Sequence, residues 1–486
     1  MARIVVVSNR VSINPRGGSR AGGLEVALQE VFKNHAGIWF GWSGRVVKQG
    51  EVETRVTNSN DNRQTVVTDL TEEDYREYYN GFANRVLWPI LHYRLDLAEY
   101  SRRDLSGYMR VNEHFASELH KVLKPTDIVW VHDYHLIPLA HALRQRGHRN
   151  KIGFFLHIPL PPPEILTALP NHEQLFSTLI HYDLVGFQTD IDSLNCARYL
   201  THECKLASRD LKIFSDGRNT VRLGTFPVGV QTEEMREWAD KASQSAIVRR
   251  VKHSLVGRAM LIGVDRLDYS KGLVQRMEAF ERFLEGNPAW HDKVTYLQIT
   301  PKSRTKIREY LEIEKAVSSA AGRINGNHGE ASWTPIRYIN QSYSRVTLSG
   351  FYRSARVGLV TPLRDGMNLV AKEYVACQRA DDPGVLVLSR FAGAAQECQS
   401  ALLVNPYDSE AVALAIARAL AMPQVERIER HQSMMKVLEQ NDIKFWGENF
   451  LLSLQMTYDE MTMLADFMPP RREPTAKSSP RRIRPN

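Results

Sequence analysis

Two carboxylates bracket the most chemically suggestive stretch of this chain, Val360-Thr361-Pro362-Leu363-Arg364-Asp365-Gly366-Met367-Asn368-Leu369-Val370-Ala371-Lys372-Glu373-Tyr374. The apolar run Val357-Gly358-Leu359-Val360 reads as a buried strand, and a helical pattern starts at about Asn368. Strand, polar turn and helix N-terminus form a phosphate-binding geometry, because free backbone N–H groups and the positive end of the helix dipole converge there. Asp365, at the turn, can hold a sugar hydroxyl. Glu373, inside the helix, can hold a pair of ribose hydroxyls. The combination suits a nucleotide-sugar better than a bare phosphate.

Other polar residues fall at or just after apolar runs. Arg266, Asp268 and Lys271 lie in Asp265-Arg266-Leu267-Asp268-Tyr269-Ser270-Lys271-Gly272, after one strand pattern and before a helical one. Two cations at such a turn can neutralise a diphosphate leaving group, the guanidinium as a planar fork and the ammonium as a point charge. The same residues could instead form a surface salt-bridge network with Asp265 and Asp268. Asp133 and His135 follow the run 127–132, which ends in His132, and His157 ends the next run; three imidazoles and a carboxylate on two strand ends point to a site. Their spacing is not that of a zinc site, and there is no His-Glu-x-x-His. Arg10 ends the first strand, Gly22 and Gly23 open the first helix, and Arg304 follows the strand at 294–299. Asp190-Ile191-Asp192 could hold a divalent metal, but Thr189 and Asp190 stand just before a helix, where N-capping explains them better. The absence of Gly-x-Gly-x-x-Gly weakens a nicotinamide-dehydrogenase reading, and neither a Gly-x-Ser-x-Gly elbow nor a Walker loop is present.

Apolar runs must position these groups. They cover residues 3–8, 127–132, 152–157, 184–187 and 223–228, then 259–264, 294–299, 357–360, 385–388 and 401–404. Helical segments alternate with them, among them about 24–35 and a polar stretch at 233–253. Continuously apolar strands alternating with helices imply parallel sheets covered on both faces. Two such series in 486 residues predict two doubly wound α/β domains, 1–240 and 241–468, with ligands in the cleft where strand carboxyl ends face each other. The last helix is expected to pack back on the first domain. Composition is that of a globular protein, 43% hydrophobic and 24% charged, and no apolar run approaches the roughly 20 residues of a membrane span. Cys196, Cys204, Cys377 and Cys398 are scattered, which predicts reduced thiols and a cytoplasmic setting. Most of the net charge of +8 sits in a Pro-, Ser- and Arg-rich tail, 469–486, expected to be disordered. The body therefore lacks the basic excess of a nucleic-acid binder.

Seven segments occur in order: Val5-Val6-Val7-Ser8-Asn9-Arg10, Ala21-Gly22-Gly23-Leu24, Trp39-Phe40-Gly41-Trp42-Ser43-Gly44, Val131-His132-Asp133-Tyr134-His135-Leu136, Arg266 to Leu273, Arg323-Ile324-Asn325-Gly326, and Arg364 to Tyr374. Over residues 2–465 the chain resembles the bacterial trehalose-6-phosphate synthases, retaining glycosyltransferases of family 20 with two Rossmann-like domains in the GT-B arrangement. The resemblance implies transfer of glucose from UDP-glucose to glucose 6-phosphate, without metal or cofactor, in a cytoplasmic homodimer or homotetramer. It implies that Arg10, Tyr79, Trp88 and Arg304 hold glucose 6-phosphate and that Asp133 orients it. Gly22 and Gly23 would close over the donor, Arg266 and Lys271 would grip the diphosphate, and Gly366, Met367, Asn368, Leu369 and Val370 would add contacts from the turn. His157 and Asp365 would hold hydroxyls of the donor glucose, Glu373 the ribose, and Tyr343 the uracil face. Tyr343 and Asp265 stand where relatives often carry Phe and Glu. A pseudo-glycosyltransferase on cyclitols and a non-catalytic sugar-phosphate sensor share the same framework; a sensor would be free to lose Arg266, Lys271 or Asp365, and all three are present.

Overall fold

A computed structural model describes residues 2–11, 23–59, 62–208, 210–302 and 308–456. The expected basic tail, 469–486, lies outside the described residues. The first half contributes strands β1 (Ile4–Arg10), β2 (Gly37–Val47), β3 (Thr54–Ser59), β4 (Arg63–Thr71), β5 (Ile128–His132), β6 (Lys151–Phe155), β7 (Leu184–Phe187), β8 (Ala207–Ser208), β9 (Ile213–Ser215) and β10 (Thr220–Thr225). They form one sheet in the order β3-β4-β2-β1-β5-β6-β7-β10-β9-β8. The second half contributes β11 (Ala259–Val264), β12 (Val294–Ile299), β13 (Ile336–Ile339), β14 (Val357–Val360), β15 (Val385–Ser389) and β16 (Leu402–Val404), ordered β13-β12-β11-β14-β15-β16. The second sheet is parallel throughout.

The first sheet departs from the all-parallel expectation. Its outer pairs β3–β4, β9–β10 and β8–β9 are antiparallel. Short hairpins need no crossover helix, so they extend a parallel core cheaply at its edges. The run expected at 223–228 pairs only as far as Thr225, and the polar stretch 233–253 is two helices, Thr232–Ser243 and Ala246–Ser254, because Ser245 caps the second by accepting from Val248 N. The pairs β1–β5 and β11–β14 mark where strand order reverses in each sheet. Such switch points open a crevice at strand carboxyl ends, and there the polar loops after β5, β11 and β14 are found.

The last described helix, Ile443–Gln455, crosses back to the first sheet. Gly153 and Gly186 leave room for it: a Cβ on either would lie 2.8 Å from the Phe450 ring. Trp130 stacks on Phe450 (4.5 Å, 9°) and tilts against Trp446 (5.0 Å). A buried charge fixes the linker between the halves. Lys372, fully buried, donates to the Val228 carbonyl at 2.7 Å and pairs with Glu397, whose other oxygen accepts from Asn441 Nδ2 at 2.8 Å. Helix Leu369–Cys377, the linker and the last helical turn before residue 443 are thereby joined at one point. Removing one member of a buried pair leaves its partner's charge uncompensated, at a cost of about 3–5 kcal/mol. Lys372→Ala is therefore expected to lower unfolding stability by about that amount, read as a reduced urea midpoint; an unchanged midpoint would show the pair to be structurally idle.

Candidate functional site

The two sets of strand ends enclose a cleft of about 950 Å³. It is lined by Trp88, Asp133 and His157 from the first half and by Arg266, Lys271, Tyr343, Asp365, Met367, Asn368, Leu369, Val370 and Glu373 from the second. Gly366 lies beneath this lining, with its backbone against the His157 carbonyl; a Cβ there would be 2.0 Å from that oxygen. Only glycine permits so close an approach. Asp133 directly follows β5 at φ 78°, ψ 163°, a conformation that costs a non-glycine residue about 1–3 kcal/mol. It is held by its own N–H, which donates to Phe155 O at 2.8 Å, and its Oδ1 accepts a long bond (3.4 Å) from His157 N.

The loop after β11 is braced from below. Asp268, fully buried, accepts from Ser270 N at 3.0 Å, from Tyr310 Oη at 3.1 Å and from Trp88 Nε1 at 3.4 Å. It also pairs with Arg266 Nη2 at 3.3 Å, and the Arg266 guanidinium lies 4.6 Å over the Trp88 ring. Asp265 is buried too and pairs with Arg276 Nη1 at 2.6 Å; burial pushes its carboxyl up, and the Arg276 charge opposes that rise. The surface salt-bridge alternative for these aspartates is thus corrected: both are interior struts, while Arg266 reaches the cleft with 41% exposure. Arg276 had no sequence signal, since it sits within an ordinary helical pattern. It nevertheless bonds Thr361 Oγ1 (3.0 Å) after β14 and the Lys271 carbonyl (3.1 Å) after β11, so one buried guanidinium locks both loops.

Lys271 does not stand alone as an open cation. It pairs with Asp365, whose Oδ2 also accepts from Asn368 Nδ2 at 3.0 Å. Asn368, at φ 65°, caps helix Leu369–Cys377 by accepting from Ala371 N at 3.3 Å, as the helix start expected there requires. The first N–H groups of that helix have no intrahelical partner, and Leu369 and Val370 line the cleft. Glu373 pairs with Arg345 Nη2 at 3.2 Å, and Arg345 lies over the Trp238 ring at 5.1 Å. Arg345 was not singled out in the sequence. Tyr343 meets Phe351 edge-on at 5.3 Å.

The other expectations fall outside this lining. Arg10 lies over Trp42 at 5.6 Å, and Tyr79 meets the same ring at 5.6 Å, so these two share a neighbouring corner beyond the cleft lining. His135 is separated from the other imidazoles' surroundings: it is buried and stacks on Tyr79 at 6.0 Å. Gly23 opens helix Gly23–Asn34. Gly22 and Arg304 lie outside the described residues. Thr189 accepts from Asp192 N at 3.2 Å, so the acid-x-acid pair is a helix cap as read from the sequence. All four cysteines are free thiols, three buried and Cys204 partly exposed. Among the described residues, no helix is long and apolar enough to cross a membrane.

Two facing parallel-rich α/β sheets with a phosphate-suited helix start and sugar-suited carboxylates between them define a glycosyltransferase of the GT-B fold. The sequence profile of glycosyltransferase family 20 matches residues 5–456, and the chain belongs to that family. It is 53% identical over 462 residues to the trehalose-6-phosphate synthase of Sinorhizobium fredii, covering 94% of this chain and 99% of that relative. It is 46% identical over 455 residues to that of Escherichia coli O157:H7, covering 94% and 95%. The α,α-trehalose-phosphate synthase (UDP-forming) of Burkholderia xenovorans, solved in complex with glucose-6-phosphate, superposes with a TM-score of 0.91 at 46% identity over 94% of this chain and all of that one. An E. coli structure bound with UDP-2-fluoro glucose gives 0.88 at 45% identity with the same coverage.

The Lys271–Asp365 pair has a titratable signature. Burial alone would raise the Asp365 carboxyl, but the adjacent Lys271 charge and hydrogen bond outweigh it and hold the carboxyl below its ordinary value. A depressed carboxylate adds stability that is complete above its unfolded value of about 4 and disappears as pH falls through the lower folded value. In Lys271→Met, burial would act unopposed by its main counterweight, so the Asp365 carboxyl should titrate above about 4. Carboxyl-carbon NMR titration of both proteins checks this; a titration midpoint that does not move would remove Lys271 as the cause.

Proposed function

We propose that this chain transfers glucose from UDP-glucose to glucose 6-phosphate with retention, giving α,α-trehalose 6-phosphate and UDP. The observation that carries the reading is the cleft itself, which joins a cation pair for a diphosphate, a helix N-terminus and hydroxyl-binding carboxylates to residues of the opposite half. In this reading residues 1–240 serve the acceptor and 241–468 the nucleotide-sugar. Arg10, Tyr79, Trp88 and Arg304 hold glucose 6-phosphate, and Asp133 orients it. Gly22 and Gly23 close over the donor. Arg266 and Lys271 take the diphosphate with the 366–370 turn, His157 and Asp365 take glucose hydroxyls, Glu373 takes the ribose and Tyr343 the uracil face. The enzyme would work in the cytoplasm as a homo-oligomer.

Retention by double displacement needs a carboxylate free to attack the anomeric carbon. The four carboxylates lining the cleft are each engaged: Asp133 with His157 N, Asp265 with Arg276, Asp365 with Lys271 and Glu373 with Arg345. A front-face substitution fits better. The acceptor's anomeric hydroxyl attacks donor C1 on the face from which UDP departs; the C1–O bond to phosphate breaks, the new C1–O bond forms, and the proton passes to the leaving phosphate oxygen. The protein's contribution is then positioning and stabilisation of departing charge by Arg266 and Lys271.

UDP release from UDP-glucose, with and without glucose 6-phosphate, tests the reading directly, with the product identified by NMR. Acceptor-dependent release of an α,α-1,1-linked disaccharide phosphate is expected; binding without release would favour a sensor, and release with cyclitol acceptors alone a pseudo-glycosyltransferase. Lys271→Ala should lower kcat by about 100-fold, the scale of one lost transition-state donor, and a near-normal kcat would remove Lys271 from the chemical step. Arg345→Ala should mainly raise KM for UDP-glucose, about tenfold, through the loss of one charged hydrogen bond to Glu373. An unchanged KM would detach Glu373 from ribose binding.

A further inference from the structure

Behind the cleft, His132 ends β5 with no exposed surface. Its Nδ1 lies 3.0 Å from Nε2 of His157, and the two rings stack at 5.3 Å and 26°. Its other nitrogen, Nε2, has no hydrogen-bond partner among the described residues. Neither has Nε1 of Trp130 nor Nε1 of Trp446, whose rings stand 4.6 and 6.3 Å from that of His132. Trp446 also stands 6.1 Å from the His157 ring, so its indole borders both imidazoles.

Both imidazoles are neutral at physiological pH. Burial pulls His157 down to about 3 and His132 well below its ordinary value, and the closeness of the two rings further disfavours charging both. Two neutral rings sharing one N···N contact have two arrangements. If His157 carries its proton on Nε2 and donates, His132 must carry its own on Nε2, which leaves a buried N–H with no acceptor among the described residues. If His132 carries its proton on Nδ1 and donates, its Nε2 keeps only an unshared lone pair. A buried orphan N–H is the rarer and costlier defect, so the second arrangement is favoured.

We infer that His132 is a positioning residue that fixes His157 as the Nδ1–H tautomer, so that His157 meets the cleft as a hydrogen-bond donor to a substrate oxygen. That the oxygen belongs to the donor sugar rests on the function proposed above. The tautomer itself does not.

The test uses the full chain labelled with 15N-histidine, free of substrate, in two-bond 1H–15N correlation spectra, with His157→Gln assigning the His157 signals. The expected spectrum has a protonated Nδ1 and a lone-pair Nε2 on His157; a protonated Nε2 overturns the inference whatever the activity. Kinetics then separate positioning from packing. His132→Phe removes the donor and should lower kcat/KM for UDP-glucose about tenfold, the scale of one lost hydrogen bond. His132→Asn, whose amide N–H falls near the Nδ1 position, should retain most of it. Equal losses in the two variants would overturn the positioning role. The expected tautomer in a protein that turns over no UDP-glucose would instead refute the proposed function and leave the inference standing.

Discussion

The contact between Gly366 and the carbonyl of His157 sets the geometry on which the cleft depends. It joins the loop after β14 to the loop after β6 through backbone alone, with no room for a Cβ. Gly393 repeats the device one layer out, where a Cβ would lie 2.1 Å from the Gly366 carbonyl. Side-chain packing can relax by several tenths of an ångström, but stacked backbones move only with their sheets. Asp365, Asn368 and His157 therefore hold their spacing as long as the two sheets hold theirs, which is how rigid elements give a site its precision.

The cleft's charges are compensated before any ligand arrives. Lys271 has Asp365, Arg345 has Glu373, Arg266 has Asp268, and Asp265 has Arg276. An unpaired ion in such partly buried positions would be strongly penalised. Pairing keeps both signs present without that penalty and orients the donors in advance. An incoming diphosphate would exchange partners with cations already held in place, and little reorganisation would remain for the reacting complex.

Much of this was legible in the sequence because it depends on local patterns. Strands β7, β11, β12 and β14 have the bounds their apolar runs indicated, and the helix after Asn368 begins where its cap places it. Arg266, Lys271, Asp365 and Glu373 declared themselves by lying directly after such strands or at such a cap. What could not be read has non-local causes. Arg276 and Lys372 look like surface cations on helices, and only the tertiary fold carries them inside to Asp265 and Glu397. His135, whose type and place suggested a site, is turned by its short helical turn into the tyrosines of the first core. Edge strands β3, β8 and β9 were hidden because short, half-exposed strands carry little apolar signal, whereas β4, nine residues and mostly buried, alternates polar with apolar residues too irregularly to stand out.

The return of helix Ile443–Gln455 to the first sheet carries a consequence for how the chain is made. Trp130, Phe155, Gly153 and Gly186 form a surface that this helix covers with Trp446 and Phe450. On the ribosome, the half synthesised first keeps that apolar face open until nearly the entire second half has emerged. The early half thus reaches its final packing only with the late helix, although domains generally fold in order of synthesis. Its completion and the joining of the two halves are one late event, so a nascent chain gains a finished first sheet and a fully tethered cleft at the same moment.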